Sequence, residues 1–124
     1  MENFMFFGLS PFNVKHALAS LKTDTLYNAS VVLYASALLK DKSHYLEALS
    51  AMEIKFKETP NNSFKAWMLG RVALAATHMG DQETVVKTVP ALKDLLEQKE
   101  VAEDESRAWA LGYLAAVNLA EYKT

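Results

Sequence analysis

Three histidines, His16, His44 and His78, have the broadest chemical repertoire in this chain. Each stands on a different predicted helix or at its end. No two share the i, i+4 spacing that presents a pair of imidazoles to one metal ion, and no carboxylate completes a metal set. Solvated or helix-capping roles account for all three. The chain has no cysteine, which excludes disulfides, thiolate nucleophiles and cysteine-ligated metals. A Gly-rich phosphate loop, a nucleophile elbow and a redox motif are also missing. Adjacent carboxylates such as Asp104-Glu105 fall in a charged connection, where water keeps both ionised and neither is tuned for acid–base work. No catalytic constellation, metal site or cofactor motif emerges, and the chain is expected not to be an enzyme.

Aromatic and cationic side chains at helical spacing offer binding instead. The phrase Ala66-Trp67-Met68-Leu69-Gly70 returns as Ala108-Trp109-Ala110-Leu111-Gly112. Successive residues of a helix turn by roughly 100°, so Trp67 and Leu69 point to nearly opposite sides. With Leu69 and Gly70 packed inward, Trp67, Arg71 and Leu74 form an i, i+4, i+7 stripe on another face. Trp109, Tyr113 and Ala116 repeat it. Tryptophan, tyrosine and arginine most often concentrate interface energy, because each joins a large contact area to a polar group. A second reading stands beside this one: a tryptophan on a helix covered on two sides is a core residue.

Composition points to a protein partner. A formal net charge of −2 leaves no basic face for nucleic acid or an anionic membrane. No uncharged run approaches the roughly 18 residues of a membrane helix. The stretch Met1 to Leu9 is apolar but lacks the basic start and cleavage site of a secretory signal, so a cytoplasmic location is expected. With 51% hydrophobic residues over 124 positions, one globular domain with a real core is expected.

The elements that must position the stripe read as helices throughout. Ser10-Pro11 is a helix start, followed at helical spacing by Val14, Ala17, Leu18 and Leu21. Thr23 or Asp24 caps a second helix through Leu26, Val32, Leu33, Ala37 and Leu39. The cluster Lys40 to Ser43 ends it and caps a third, His44 to Lys57, with Leu46, Leu49, Met52 and Phe56 inward. Pro60 to Ser63 is the clearest turn. The fourth helix, Phe64 to His78, is apolar on nearly all sides and is expected to be covered on two faces. Gly80 suits a left-handed C-cap, and Asp81 can cap the next helix. That fifth helix, Glu83 to Glu97, contains Pro90, where a kink or a break is expected. Lys99 to Ser106 reads as a charged, solvated connection, and a last helix runs to about Tyr122. Strand alternation is absent, so the fold class is all-α.

Asn28 to Pro60 resembles a tetratricopeptide repeat, two antiparallel helices over about 34 residues. On that resemblance Ser36 sits at a tight helix crossing, Tyr45 opens the second helix, Ala48 takes its small-residue position and Pro60 closes the unit. Gly70, 34 residues after Ser36, takes the tight crossing of the next unit. The resemblance implies antiparallel helix-hairpin repeats in a right-handed superhelix. Residues 1–23 would form an N-terminal segment and helix, 24–60 and 62–98 two repeats, and 104–122 an unpaired capping helix. The sequence departs from the family in two ways. Both tryptophans stand one residue late, with Ala66 and Ala108 in the usual tryptophan slot. Gly70 and Gly112 are 42 residues apart, nearer the period of HEAT or armadillo units, so both subclasses remain open.

By the same resemblance the stripe lines a concave groove. Its lining would be Leu33, Ala37, Phe64, Trp67, Arg71, Leu74, Trp109 and Tyr113. The expected function is a protein-interaction module, chaperone or adaptor whose groove accepts an apolar or amphipathic helix of another protein. The alternative is a structural homodimer or assembly subunit with no peptide client. Phe4, Phe6, Phe7 and Phe12 would pad the open end of the stack or bind a second copy.

Overall fold

The computed structural model describes residues 22–102 and 105–123. It contains helices α1 (Leu26–Leu39), α2 (Lys42–Glu58), α3 (Asn62–Met79), α4 (Gln82–Leu96), α5 (Lys99–Ala102) and α6 (Ser106–Lys123). No strand occurs among the described residues, and the fold is all-α. The helix expected after Ser10-Pro11, the aromatics Phe4, Phe6, Phe7 and Phe12, and His16 lie outside the described residues.

Four helices begin where a side-chain oxygen takes up an otherwise unpaired backbone N–H. Thr25 accepts from Asn28 N at 3.0 Å and Asp41 from His44 N at 3.1 Å. Asn61 accepts from Phe64 N at 3.0 Å and Asp81 from Thr84 N at 3.3 Å. Replacing such a cap by alanine typically costs ~1 kcal/mol. The cap of α1 is Thr25 in place of the expected Thr23 or Asp24, because Asp24 accepts from the Asn28 side-chain amide instead. Gly80 closes α3 at φ 78°, where a glycine has no steric penalty. Lys40 closes α1 at φ 59°, and its ammonium donates to the His78 carbonyl, placing a cation at the C-terminal end of α3.

Short connections make α1 and α2 an antiparallel hairpin, and α3 and α4 another. Helices α1, α3 and α6 lie side by side in a row. Tyr27 meets Trp67, Ser30 meets Arg71 and Tyr34 meets His78, so the contacts climb both helices together and α1 runs parallel to α3. Trp67 meets Trp109 and Arg71 meets Tyr113, so α6 continues the row in the same sense.

The middle position of α3 explains its composition. It buries Ala66, Met68 and every residue from Gly70 to Ala76, which leaves little room for a polar face. The main core joins Leu33 and Ala37 of α1, Tyr45, Ala48 and Met52 of α2, Leu74 of α3 and Val117 of α6. A smaller cluster of Ala66, Leu92, Leu96, Val101 and Ala110 seals α3 against α4, α5 and α6.

Local expectations give way at several points. Leu46 is 48% exposed, because the inner face of α2 is Tyr45, Ala48 and Met52. Helix α4 runs unbroken through Pro90, so no boundary between two shorter helices exists there. Proline deprives the Val86 carbonyl of its donor, but Val86 is 63% exposed and water can supply the missing bond. Within the stretch read as a solvated connection, Lys99–Ala102 is helical and Val101 is fully buried. Burying a valine is worth about 1.5 kcal/mol or more, enough to tie down a short charged segment. The Asn62 side-chain amide adds donations to Gln98 Oε1 and Glu100 Oε1, both at 2.7 Å.

Candidate interaction site

Parallel packing sets the first turns of α1, α3 and α6 beside one another and gathers their aromatic side chains. Trp67 is the centre. Its indole stacks on Trp109 with centroids 5.5 Å apart and planes 26° apart. Tyr27 meets Trp67 edge-on at 6.0 Å, and Phe64 does so at 5.9 Å. Such pairs contribute ~0.5–1.5 kcal/mol each beyond the area they bury. Tyr27 and Trp109 each remain 45% exposed, while Trp67 and Phe64 are partly buried.

Arg71 lies one helical turn beyond Trp67 and is only 7% exposed. Its Nε donates to Tyr113 Oη at 3.0 Å and its Nη1 to Ser30 Oγ at 2.9 Å. Ser30 in turn donates to the Tyr27 carbonyl at 2.6 Å, so its hydroxyl is used in both directions. The guanidinium carbon stands 5.3 Å from the Tyr27 ring centre and 5.8 Å from those of Trp67 and Tyr113. All three distances fall within cation–π range. The ion pairs among the described residues are His44–Asp41 and Lys55–Glu58, and neither touches Arg71. Rings and hydroxyls hold this buried cation.

Two further features complete the electrostatics. Burial holds the Tyr34 phenol well above its ordinary range, Tyr113 adds to this, and the positive charge of Arg71 works against it. Trp67 Nε1 is enclosed and donates to no acceptor, alone among the buried side-chain nitrogens and oxygens of the described residues. No acid occupies the first turn of α1, α3 or α6, but Glu100 accepts from the Asn62 side chain at the start of α3 and Asp24 from the Asn28 side chain at the start of α1.

Trp67, Arg71, Trp109 and Tyr113, singled out by spacing, and Phe64, placed in the groove by the resemblance, come together in this cluster. Leu33, Ala37 and Leu74 do not join its surface: at 0%, 0% and 3% exposure they belong to the core. Tyr113 is buried at 1% exposure and reaches the cluster through its ring and hydroxyl. Tyr27 and Ser30 escaped the sequence reading. The signal was weak, since only the pairing of α1 with α3 shows that they stand opposite Trp67 and Arg71.

Elsewhere a cleft between α2, α3 and α4 is lined by Leu49, Met52, Phe56, Leu69, Val72 and Thr88. Among the described residues no three His, Asp or Glu side chains gather as a metal set, and no helix is long and apolar enough to cross a membrane. No protein-family model matches the chain, and no curated protein or solved structure matches it either.

Proposed function

We propose that this chain is a protein-interaction module, a small cytoplasmic adaptor or chaperone built from stacked helix hairpins, of the tetratricopeptide kind or of the longer-period HEAT or armadillo kind. The observation that carries the reading is the aromatic cluster, in which Trp109 and Tyr27 stay 45% exposed while packed on Trp67. Rings already fixed by stacking lose little freedom when a partner covers them, so their contact area converts efficiently into affinity. Arg71 adds a polar anchor within the same patch. An apolar or amphipathic helix of another protein would lay its apolar face across the row of first turns. The hairpin-repeat arrangement is supported by register: Ser30 to Arg71 spans 41 residues and Arg71 to Tyr113 spans 42. Nearly equal offsets at both junctions are what stacked units of one kind produce.

Site-specific photo-crosslinking in the native host tests the proposal. A crosslinking residue at position 109 or 27 should capture one defined protein, and the same residue at exposed position 86 on α4 should not. Equal capture at all three positions would overturn it.

A second reading, a self-associating or assembly subunit, is favoured by Leu46 and Ile54, which are 48% and 59% exposed on α2. Sedimentation velocity over a dilution series decides this: a dimer dissociated by Ile54→Glu would support it, and a monomer at every concentration would remove it.

A further inference from the structure

We propose that Arg71 is a receptor for a carboxylate, with the Trp67 indole N–H as a second donor to the same group. The inference takes its partner from the interaction reading above, but its chemistry rests on separate observations.

The first is an unbalanced charge. Buried cations in folded proteins are paired with anions as a rule, because desolvating a charge alone is costly. Guanidinium groups stay charged in proteins, so neutralisation offers no escape. Arg71 is 7% exposed and has no carboxylate within ion-pair distance among the described residues. The two hydroxyls and three rings around it supply only partial charges.

The second is the set of donors left over. A guanidinium has five N–H groups in a planar fork. One on Nε and one on Nη1 are engaged by Tyr113 and Ser30, which leaves one on Nη1 and both on Nη2. Those neighbouring donors are the pair that a carboxylate bridges with two parallel bonds. Arg71 keeps 7% of its surface accessible, so the side chain is not wholly sealed from solvent.

The third is the orphaned donor one turn earlier on the same helix face. Buried N–H groups are nearly always partnered, and Trp67 Nε1 is not. The rings against Trp67, Tyr27 and Trp109, are each 45% exposed, so solvent reaches the edge of the cluster that encloses this donor. One fork between aromatic walls matches a singly charged carboxylate flanked by apolar groups. A phosphate dianion would leave charge unpaired there.

The test follows the Arg71 Nε–H and the Trp67 indole N–H by NMR while the labelled protein is titrated with acetate or with acetamide at constant ionic strength. Saturable shifts of both signals with acetate, absent with acetamide, are expected, and in Arg71→Gln the Trp67 indole shift should be lost. Arg71→Lys, which keeps the charge but not the fork, should weaken the response at least several-fold. Three amphipathic peptides then identify the source: a capped one with a central Glu, its Gln counterpart, and a Gln version with a free terminal carboxylate. At least tenfold tighter binding of either acidic peptide over the capped Gln peptide supports the proposal and says whether a side chain or a chain end is taken. Equal responses to acetate and acetamide in the unaltered protein would overturn it without recourse to any variant, as would equal affinities for all three peptides. In that last case the interaction reading survives. Failure of every peptide while acetate still shifts both signals would instead end the helical-partner reading and leave a receptor for small carboxylates.

Discussion

Gly70 and Tyr113 touch across the α3–α6 contact so closely that a β-carbon at Gly70 would stand 2.9 Å from both Cβ and Cδ2 of Tyr113. That approach fixes the Tyr113 ring where its hydroxyl accepts from Arg71. The matching glycine of the repeated phrase behaves differently, since a β-carbon at Gly112 would meet nothing within 4 Å.

Alanine at these two glycines should therefore have opposite effects. Overpacking at Gly70 costs roughly 1–3 kcal/mol, only partly offset by the ~1 kcal/mol helix preference of alanine over glycine. Gly70→Ala should lower stability, and Gly112→Ala should raise it by about 0.5–1 kcal/mol. Urea denaturation of both variants checks this, and effects of the same sign would contradict the described α3–α6 register.

The two tryptophans should separate stability from binding. Trp109 is 45% exposed, so Trp109→Ala should cost the fold less than Trp67→Ala, about 1–2 kcal/mol. The same change should weaken partner binding by ~2 kcal/mol or more. Trp67→Ala should affect both, with a stability loss on the order of 2–4 kcal/mol because several rings pack on it. Denaturation and binding titrations on the same proteins decide the matter. If Trp109→Ala destabilises as much as Trp67→Ala, Trp109 belongs to the core.

Tyr45→Phe tests the link between the hairpins. Tyr45 Oη donates to Asp81 Oδ2 at 2.8 Å, and the Thr84 hydroxyl donates to the same oxygen at 2.6 Å. Hydrogen bonds to charged groups are worth roughly 1.5–3 kcal/mol, so losing this one should cost about 1.5 kcal/mol or more. A double-mutant cycle with Asp81→Ala should show coupling of similar size, and a coupling near zero would mean the contact contributes nothing.

Acidification should weaken the fold near neutrality through His78. Burial, and next the charge of Lys40, hold this imidazole below its ordinary 6.5. The unfolded chain then binds more protons than the folded one, so the stability linked to His78 is present above pH 6.5 and lost as pH falls through the folded value. Asp81 acts only lower down. Burial works to raise it, but hydrogen bonds from Thr84 and Tyr45 hold it below 3.8, so its contribution disappears in stronger acid. The denaturation midpoint should drop between pH 7.5 and 5.5, and His78→Gln should flatten that drop. An unchanged slope in His78→Gln would assign the effect elsewhere.

Much of the secondary structure is decided by neighbours in sequence. Asp81 as a cap and Gly80 as a left-handed terminus are readable because hydrogen bonds over three or four residues decide them. The i, i+4 relation of Trp67 to Arg71 is equally local, and it brought half of the candidate site into view. Of the kink or break expected at Pro90, the break does not occur, because Val86 is exposed and its carbonyl can bond to water. The same local logic misjudged Val101, which a distant cluster claims.

Tertiary structure alone decided which side of each stripe faces water. Two identical Trp-x-Leu-Gly phrases yield a half-buried Trp67 and an exposed Trp109, and a crowded Gly70 and an open Gly112. Helix α3 has a neighbour on each side, and α6 packs on α3 at one. Leu33, Ala37 and Leu74 sank into the core for the same reason, while Tyr27 and Ser30 entered the site from a helix some 40 residues away in the chain, as the separation of 41 between Ser30 and Arg71 shows. Helix formation is set by hydrogen bonds within a few residues, whereas burial is set by the order in which helices stack.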